Sequence, residues 1–271
     1  MRRLINQRPA RAERIALGVL PFVGLLVLYV VASRLRLAEN PGDKLLPSLA
    51  SMGQSIREYG FTEDPRSGQY LLWSDTWASL KRIGTALFIS AGGGLLLALT
   101  IGAVPRVRAL LSPLLSTVAM IPPLAVLPIL FIVLGLDEAA KIALIVIGVM
   151  PCIARDLSLH VSELPQEQLV KAQTLGASTW QLALRVMLPQ TLPRLIDVMR
   201  LNMGAAWLFL IAAEAIASTN GLGYRIFLVR RYLAMDVILP YVVWITLLAV
   251  ASDLALRLLR ARAFAWAEPG R

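Results

Sequence analysis

Six apolar stretches, at about 15–32, 83–104, 109–134, 141–157, 195–216 and 237–259, alternate along the chain with short polar or basic segments. Each reaches or approaches the length a helix needs to cross a hydrocarbon core. The pattern predicts an all-α polytopic membrane protein with six transmembrane helices. The first stretch follows a basic start, but it is long for a signal-peptide core and lacks a small-residue cleavage site, so it reads as a spanning helix.

The interruptions are as informative as the spans. Residues 33–79 form a mixed external segment whose middle, Leu49 to Tyr59, predicts a short amphipathic helix, with Tyr70, Trp73 and Trp77 as an interfacial belt. Pro105, Arg106 and Arg108 make a tight cytoplasmic turn, and Asp137 with Glu138 closes a brief outer one. Gly92, Gly93 and Gly94 permit close helix contact in the second stretch. In the third, Pro122 and Pro123 remove two successive amide donors, so the helix must break where protein or a cavity surrounds it. Residues 217–236 are too polar to span; Asn220 to Gly223 reads as a turn, and Tyr224 to Tyr232 after it as a short outer helix or a re-entrant element. The run from Pro165 to Pro193 predicts a folded surface element: Pro165 opens a helix, and Gly176 allows a bend or a close approach.

Composition fixes the solvent. The chain is 57% hydrophobic and 16% charged, against about 25% charged for a soluble domain. Its net charge of +10 is not a nucleic-acid tract. Residues 1–14, 105–108, 155–200 and 253–271 together hold sixteen Lys/Arg against seven Asp/Glu, which places both termini and the central run in the cytoplasm. One cysteine and one histidine provide neither a disulfide framework nor a multi-histidine metal site. No glycine-lysine phosphate loop or GxSxG elbow is present, so no catalytic or metal residue is assigned. Transport fits better than chemistry. The scarcity of intramembrane ionisable groups favours a separate ATPase over an ion gradient.

Five residues are candidates for a translocation path: Pro122, Pro123, Asn202, Trp207 and Glu214. Glu214 either faces solute or pairs with a neighbouring helix, since an unpaired carboxylate at that depth is costly. Asn202 reads equally as an interhelical hydrogen bond, Trp207 as packing and the prolines as a packing bend.

Thr174-Leu175-Gly176-Ala177-Ser178, followed by Val186-Met187-Leu188-Pro189, resembles the signature loop of binding-protein-dependent ABC importer permeases, which reads EAA, three residues, G, nine residues, I-x-L-P. Here Val170-Lys171-Ala172 stands in place of Glu-Ala-Ala. Ile121 to Pro128, Arg200-Leu201, Ala206-Trp207, Ala212-Ala213-Glu214 and Gly221 to Tyr224 resemble the nitrate, sulfonate, taurine and bicarbonate branch. The resemblance implies the type I importer architecture, with Gln166 to Thr179 as a cytoplasmic coupling helix. Glu167, Lys171, Ala172, Leu175, Gly176, Ala177 and Ser178 would then meet the ATPase. It also implies two cytoplasmic ATPase subunits holding ATP and Mg, an external or periplasmic solute-binding protein and a second permease copy, with the permease in a bacterial inner membrane.

The expected division is 1–14 cytoplasmic, 15–32 first span, 33–79 external, 80–262 permease core with coupling loop 158–193, and 263–271 cytoplasmic tail. The function so implied is import of a small anion by alternating access. An ion-gradient-driven secondary transporter and a non-transporting membrane adaptor are the alternatives.

Overall fold

The computed structural model describes residues 10–65 and 67–267, all in helices and their connections. The far amino-terminal arginines Arg2, Arg3 and Arg8, and the end of the tail, lie outside the described residues.

The centre of the fold is the parallel pair α3 (Leu71–Ala103) and α6 (Glu138–Ser162). Both carry small residues where they meet, so their backbones approach closely. A Cβ on Gly94 would lie 2.7 Å from the Ile153 side chain. Ala86, Ala98, Leu144, Val149 and Ile153 are buried between the elements. Of the three glycines 92–94, Gly92 meets nothing, so the contact belongs to Gly93 and Gly94.

Around this pair the chain breaks twice. The third apolar stretch is two helices, α4 (Pro105–Val118) and α5 (Pro123–Leu134), which meet at 94°. Pro122 caps α5 and Pro123 is in its first turn, where a missing amide hydrogen costs nothing. The fifth stretch begins earlier than the hydropathy suggests. A helix runs from Thr179 to Leu201 and bends by 49° at Asn202 into α10 (Met203–Ala217). Asn202 has φ −90° and ψ 0°, and its side-chain amide donates to the Val198 carbonyl at 2.9 Å. Among the described residues four helices, α1 (Arg11–Glu39), α3, α6 and α12 (Met235–Ala263), are long and apolar enough to cross a membrane; each bent pair counted as one span brings the number to six.

α1 stands apart from the core. Its connection is polar: Tyr29 Oη donates to the Pro47 carbonyl at 2.7 Å and Ser33 Oγ to that of Leu46 at 3.0 Å. α2 (Leu49–Phe61), capped by Ser48, lies across α3 and α12, held by Ser55 to Asp236 at 2.9 Å and by Trp73 Nε1 to the Gly60 carbonyl at 3.0 Å. α3 starts at Leu71, within the 33–79 segment expected to be external, because Leu72, Asp75, Thr76 and Ser79 are buried by partners distant in sequence.

Candidate functional site

The polar run after α6 folds into α7 (Gln166–Thr174), a three-residue helical turn α8 (Thr179–Gln181), a π-helical segment Leu182–Met187 and α9 (Leu188–Leu201). Pro165 is the N-cap of α7, with acidic Glu167 in the first turn and basic Lys171 in the last, each matching the helix dipole. The helix ends at Thr174, earlier than the 166–179 helix expected. Two bonds close it: Gly176 N–H to the Gln173 carbonyl at 2.9 Å, and Ala177 N–H to that of Ala172 at 3.0 Å. This is a Schellman stop, which needs a left-handed residue directly after the C-cap Leu175. Gly176 supplies it at φ +82°, with open space around its Cα, so its task is the bend and not a close approach.

One residue further on, the next helix starts. Ser178 Oγ accepts from Gln181 N–H at 3.3 Å while Gln181 Oε1 accepts from Ser178 N–H at 2.8 Å, a reciprocal capping box. The spacing from Ala172 to Gln181 is therefore one helix stop joined directly to one helix start. The π-helical segment follows for a related reason. A proline at 189 has no donor and its ring crowds the carbonyl four residues back, at Arg185; widening the turn lets Leu188 N–H reach Ala183 instead.

Beneath this unit lies its own small apolar core of Val161, Leu164 and Met187, with Leu169 against it. Gln190 Nε2 bonds Gln168 Oε1 at 3.0 Å, and its carbonyl lies 3.4 Å from His160 Nε2, so α6, α7 and α9 are tied together. The outer surface is unusual for so polar a segment. Leu175 is 81% exposed, Trp180 71% and Val170 53%, beside exposed Glu167, Lys171 and Ser178 and half-buried Ala172 and Ala177.

The path candidates are dispersed. Pro122 is exposed and Pro123 half-buried at one break, and half-buried Asn202 lies at the other. Trp207 is buried on the same face of α10 as Glu214, two turns away, and its Nε1 has no hydrogen-bond partner among the described residues. Glu214 is wholly enclosed. Arg82 Nη1 donates to Glu214 Oε1 at 2.7 Å, Ser79 Oγ to the same oxygen at 2.8 Å, and Gly223 N–H to Oε2 at 2.8 Å.

Arg82, 2% exposed, uses all five of its N–H donors. Nε and Nη2 grip the two Glu138 oxygens, each at 2.6 Å; Nη2 also reaches Asn220 Oδ1, and Nη1 reaches the Asn220 carbonyl at 3.0 Å. Next to this hub, the amino terminus of α11 (Leu222–Arg230) presents three successive amides that its own cap, Gly221, has no side chain to satisfy. They are satisfied from other helices: Gly221 N–H by Asp75 at 2.9 Å, Leu222 N–H by Ser79 at 3.0 Å and Gly223 N–H by Glu214. Asp75 also pairs with Arg225 at 2.7 Å. Two carboxylates at a helix amino terminus are stabilised by its dipole. The sequence reading singled out Glu214 alone from this cluster. Asp75, Ser79 and Arg82 are spaced i, i+4, i+7, one helical face, which was the available signal.

Among the described residues no group of three His, Cys, Asp or Glu is placed to hold a metal ion.

Residues 90–264 match the family described as binding-protein-dependent transport system inner membrane component. The taurine transport system permease protein TauC of Escherichia coli (strain K12) is 36% identical over 195 residues, 72% of this chain and 71% of TauC. The bicarbonate transport system permease protein CmpB of Synechococcus elongatus is 28% identical over 80% of this chain and 77% of its own, and the putative aliphatic sulfonates transport permease protein SsuC of Bacillus subtilis 28% over 69% and 68%. In fold, the chain resembles a chain of the inward-facing MetNI methionine ABC transporter, with a TM-score of 0.55 at 19% identity, covering 69% of this chain and 95% of that one. The chain belongs to the binding-protein-dependent transport system inner membrane components, the permease subunits of ABC transporters, in their nitrate, sulfonate, taurine and bicarbonate branch.

Proposed function

We propose that this permease passes a small anion, of the class that includes taurine, alkanesulfonates, bicarbonate and nitrate, from an external binding protein to the cytoplasm by alternating access. The observation that carries the coupling part is the surface unit 166–187. It packs on the small apolar core of Val161, Leu164 and Met187, and it exposes Leu175, Trp180 and Val170 where a monomer would hide them. Such a patch, rimmed by Glu167 and Lys171, has the composition of a protein docking site. Its partner is a cytoplasmic ATPase subunit, two of which serve a pair of permease copies in a bacterial inner membrane, with both termini cytoplasmic and each bent helix pair forming one of six spans.

The substrate class is supported by the relatives, whose names specify taurine, aliphatic sulfonates and bicarbonate. ATP binding moves the paired surface units. The inward-facing and outward-facing populations change because nucleotide has different affinity for the two. The permease binds no cofactor of its own in this scheme; ATP and Mg remain on the partner. Lys171 stands one residue before Ala172, where the family loop carries an alanine, and Val170 takes the place of the usual glutamate. The contact with the ATPase therefore leans on apolar area, with Glu167 as the nearest acid on α7.

The test is uptake in proteoliposomes holding the permease and its co-purifying ATPase, supplied with candidate binding proteins and a panel of nitrate, bicarbonate, taurine and alkanesulfonates. ATP-dependent accumulation of one of these anions is the expected result. Uptake driven by an ion gradient without the ATPase would identify a secondary transporter, and ATPase binding with no uptake of any solute would identify an adaptor.

A further inference from the structure

Polar clamps fasten the α9–α10 unit on both sides of its bend. On the amino-terminal side, Arg194 pairs with Asp156 of α6 at 2.7 Å, Arg200 with Asp253 of α12 at 2.8 Å and Asp197 with Arg260 of α12 at 3.0 Å. On the far side, Arg82 joins α3 to the first turn of α6, to α10 and to the Asn220 turn. Between the clamps lies Asn202, where the backbone leaves the α conformation and the axis turns by 49°.

We propose that Arg82 is a positioning residue for transport: it makes the ends of α3, α6, α10 and α11 one rigid outer body, so that movement entering through 166–187 is taken up at Asn202. The proposal rests on the importer reading above. Its physical basis is the donor count. Arg82 addresses two carboxylates and a backbone turn on three separate elements with one planar group, and a planar fork resists the relative rotation of those elements. The surface unit runs directly into α9, so a push there reaches Asn202 along continuous helix before it reaches the hub. An element clamped at both ends yields where its axis is already bent.

The test uses the complete transporter in nanodiscs, with Cys152→Ser and spin labels placed in one protomer at two pairs of exposed positions. Ala139 with Arg230 lies within the outer body; Arg185 with Leu208 spans the bend. Between the nucleotide-free and ATP–vanadate states, the Arg185–Leu208 distance is expected to shift and the Ala139–Arg230 distance to stay. Equal shifts at both pairs would overturn the proposal.

Arg82→Lys provides the second arm. It keeps the charge opposite Glu214, and so keeps the protein in the membrane, but three donors on a flexible stem cannot reproduce the fork. Solute moved per ATP hydrolysed is expected to fall severalfold and the Ala139–Arg230 distance distribution to broaden. A wild-type ratio and an unbroadened distribution in Arg82→Lys would reduce Arg82 to a stability residue. Absence of ATP-dependent uptake in the wild type, by contrast, would sink the importer reading itself.

Discussion

The Ala177 amide donates to the Ala172 carbonyl across the left-handed Gly176, and that single closure fixes the angle between the exposed helix α7 and the helix that becomes α9. A β-branched residue at φ +82° is strained by about 1–2 kcal/mol. Gly176→Val is therefore expected to insert normally and to retain less ATPase on purification, with coupled uptake reduced at least as much. Gly176→Asn, which tolerates the left-handed region, is expected to lie between wild type and valine. Equal ATPase recovery from all three would detach the bend from docking.

Ser178 and Gln181 make the start of the next helix independent of the stop before it. Removing an N-cap hydroxyl costs about 0.5–2 kcal/mol. In Ser178→Ala the amides of Gln181 and its neighbours are expected to exchange with solvent faster, while amides in α6 stay as they are. Hydrogen exchange followed by mass spectrometry reads this locally.

The exposed apolar pair is the energetic part of the proposed contact. Buried aromatic anchors carry most of the binding energy in an interface, and each costs about 2 kcal/mol or more when truncated. Trp180→Ala is expected to weaken ATPase affinity by more than tenfold, and Leu175→Ala by less, with no change in the amount of permease in the membrane. A titration of detached ATPase onto permease in nanodiscs measures both. Unchanged affinity in the double variant would place the ATPase elsewhere on the surface.

Much of this architecture was legible in the sequence because period and punctuation carried it. The apolar stretches marked the helices, the paired prolines marked the α4–α5 break, and the spacing around Gly176 marked the surface unit. The cluster around Arg82 was not legible for a reason of period. Asp75 and Ser79 lie in the mixed stretch 33–79 and Arg82 just beyond it, so a division at residue 79 cuts one helical face in two. Hydropathy cannot show that a polar residue is buried when the partner that buries it is more than a hundred positions away, as Glu214 is from both Ser79 and Arg82. The bend at Asn202 was equally hidden: no proline announces it, and Val198 simply accepts the side-chain bond that marks it.

Gly221 is the residue on which the Arg82 cluster closes. Its φ of 112° and ψ of 161° lie in a region that only glycine occupies readily, and a Cβ there would stand 2.5 Å from the Glu214 carboxyl carbon. Backbone strain of about 1–3 kcal/mol then adds to displacement of a buried ion pair. Gly221→Ala is expected to lower the thermal unfolding temperature in detergent well beyond the change from Gly18→Ala, a glycine with open space around it. Similar temperatures for the two variants would mean that the turn can shift without disturbing Arg82.

Glu214 tests how pairing and path divide between them. Removing one partner of a buried ion pair costs about 3–5 kcal/mol, because the other charge is left without compensation. Here Arg82 keeps Glu138, so part of that cost is relieved. Glu214→Gln preserves an acceptor for Ser79 and for the Gly223 amide and is expected to cost about 1–3 kcal/mol. Glu214→Leu strands those donors as well and should fall at the upper end of the ion-pair range. Thermal unfolding in nanodiscs gives the order, and uptake per assembled transporter separates the two roles. A purely structural Glu214 changes the amount of transporter and leaves the KM for solute alone. A carboxylate that also meets the solute during the cycle shifts that KM in Glu214→Gln, where the shape is kept and only the charge is lost. The enclosure of both carboxylate oxygens by Ser79, Arg82 and Gly223 argues for the first outcome in the state described here.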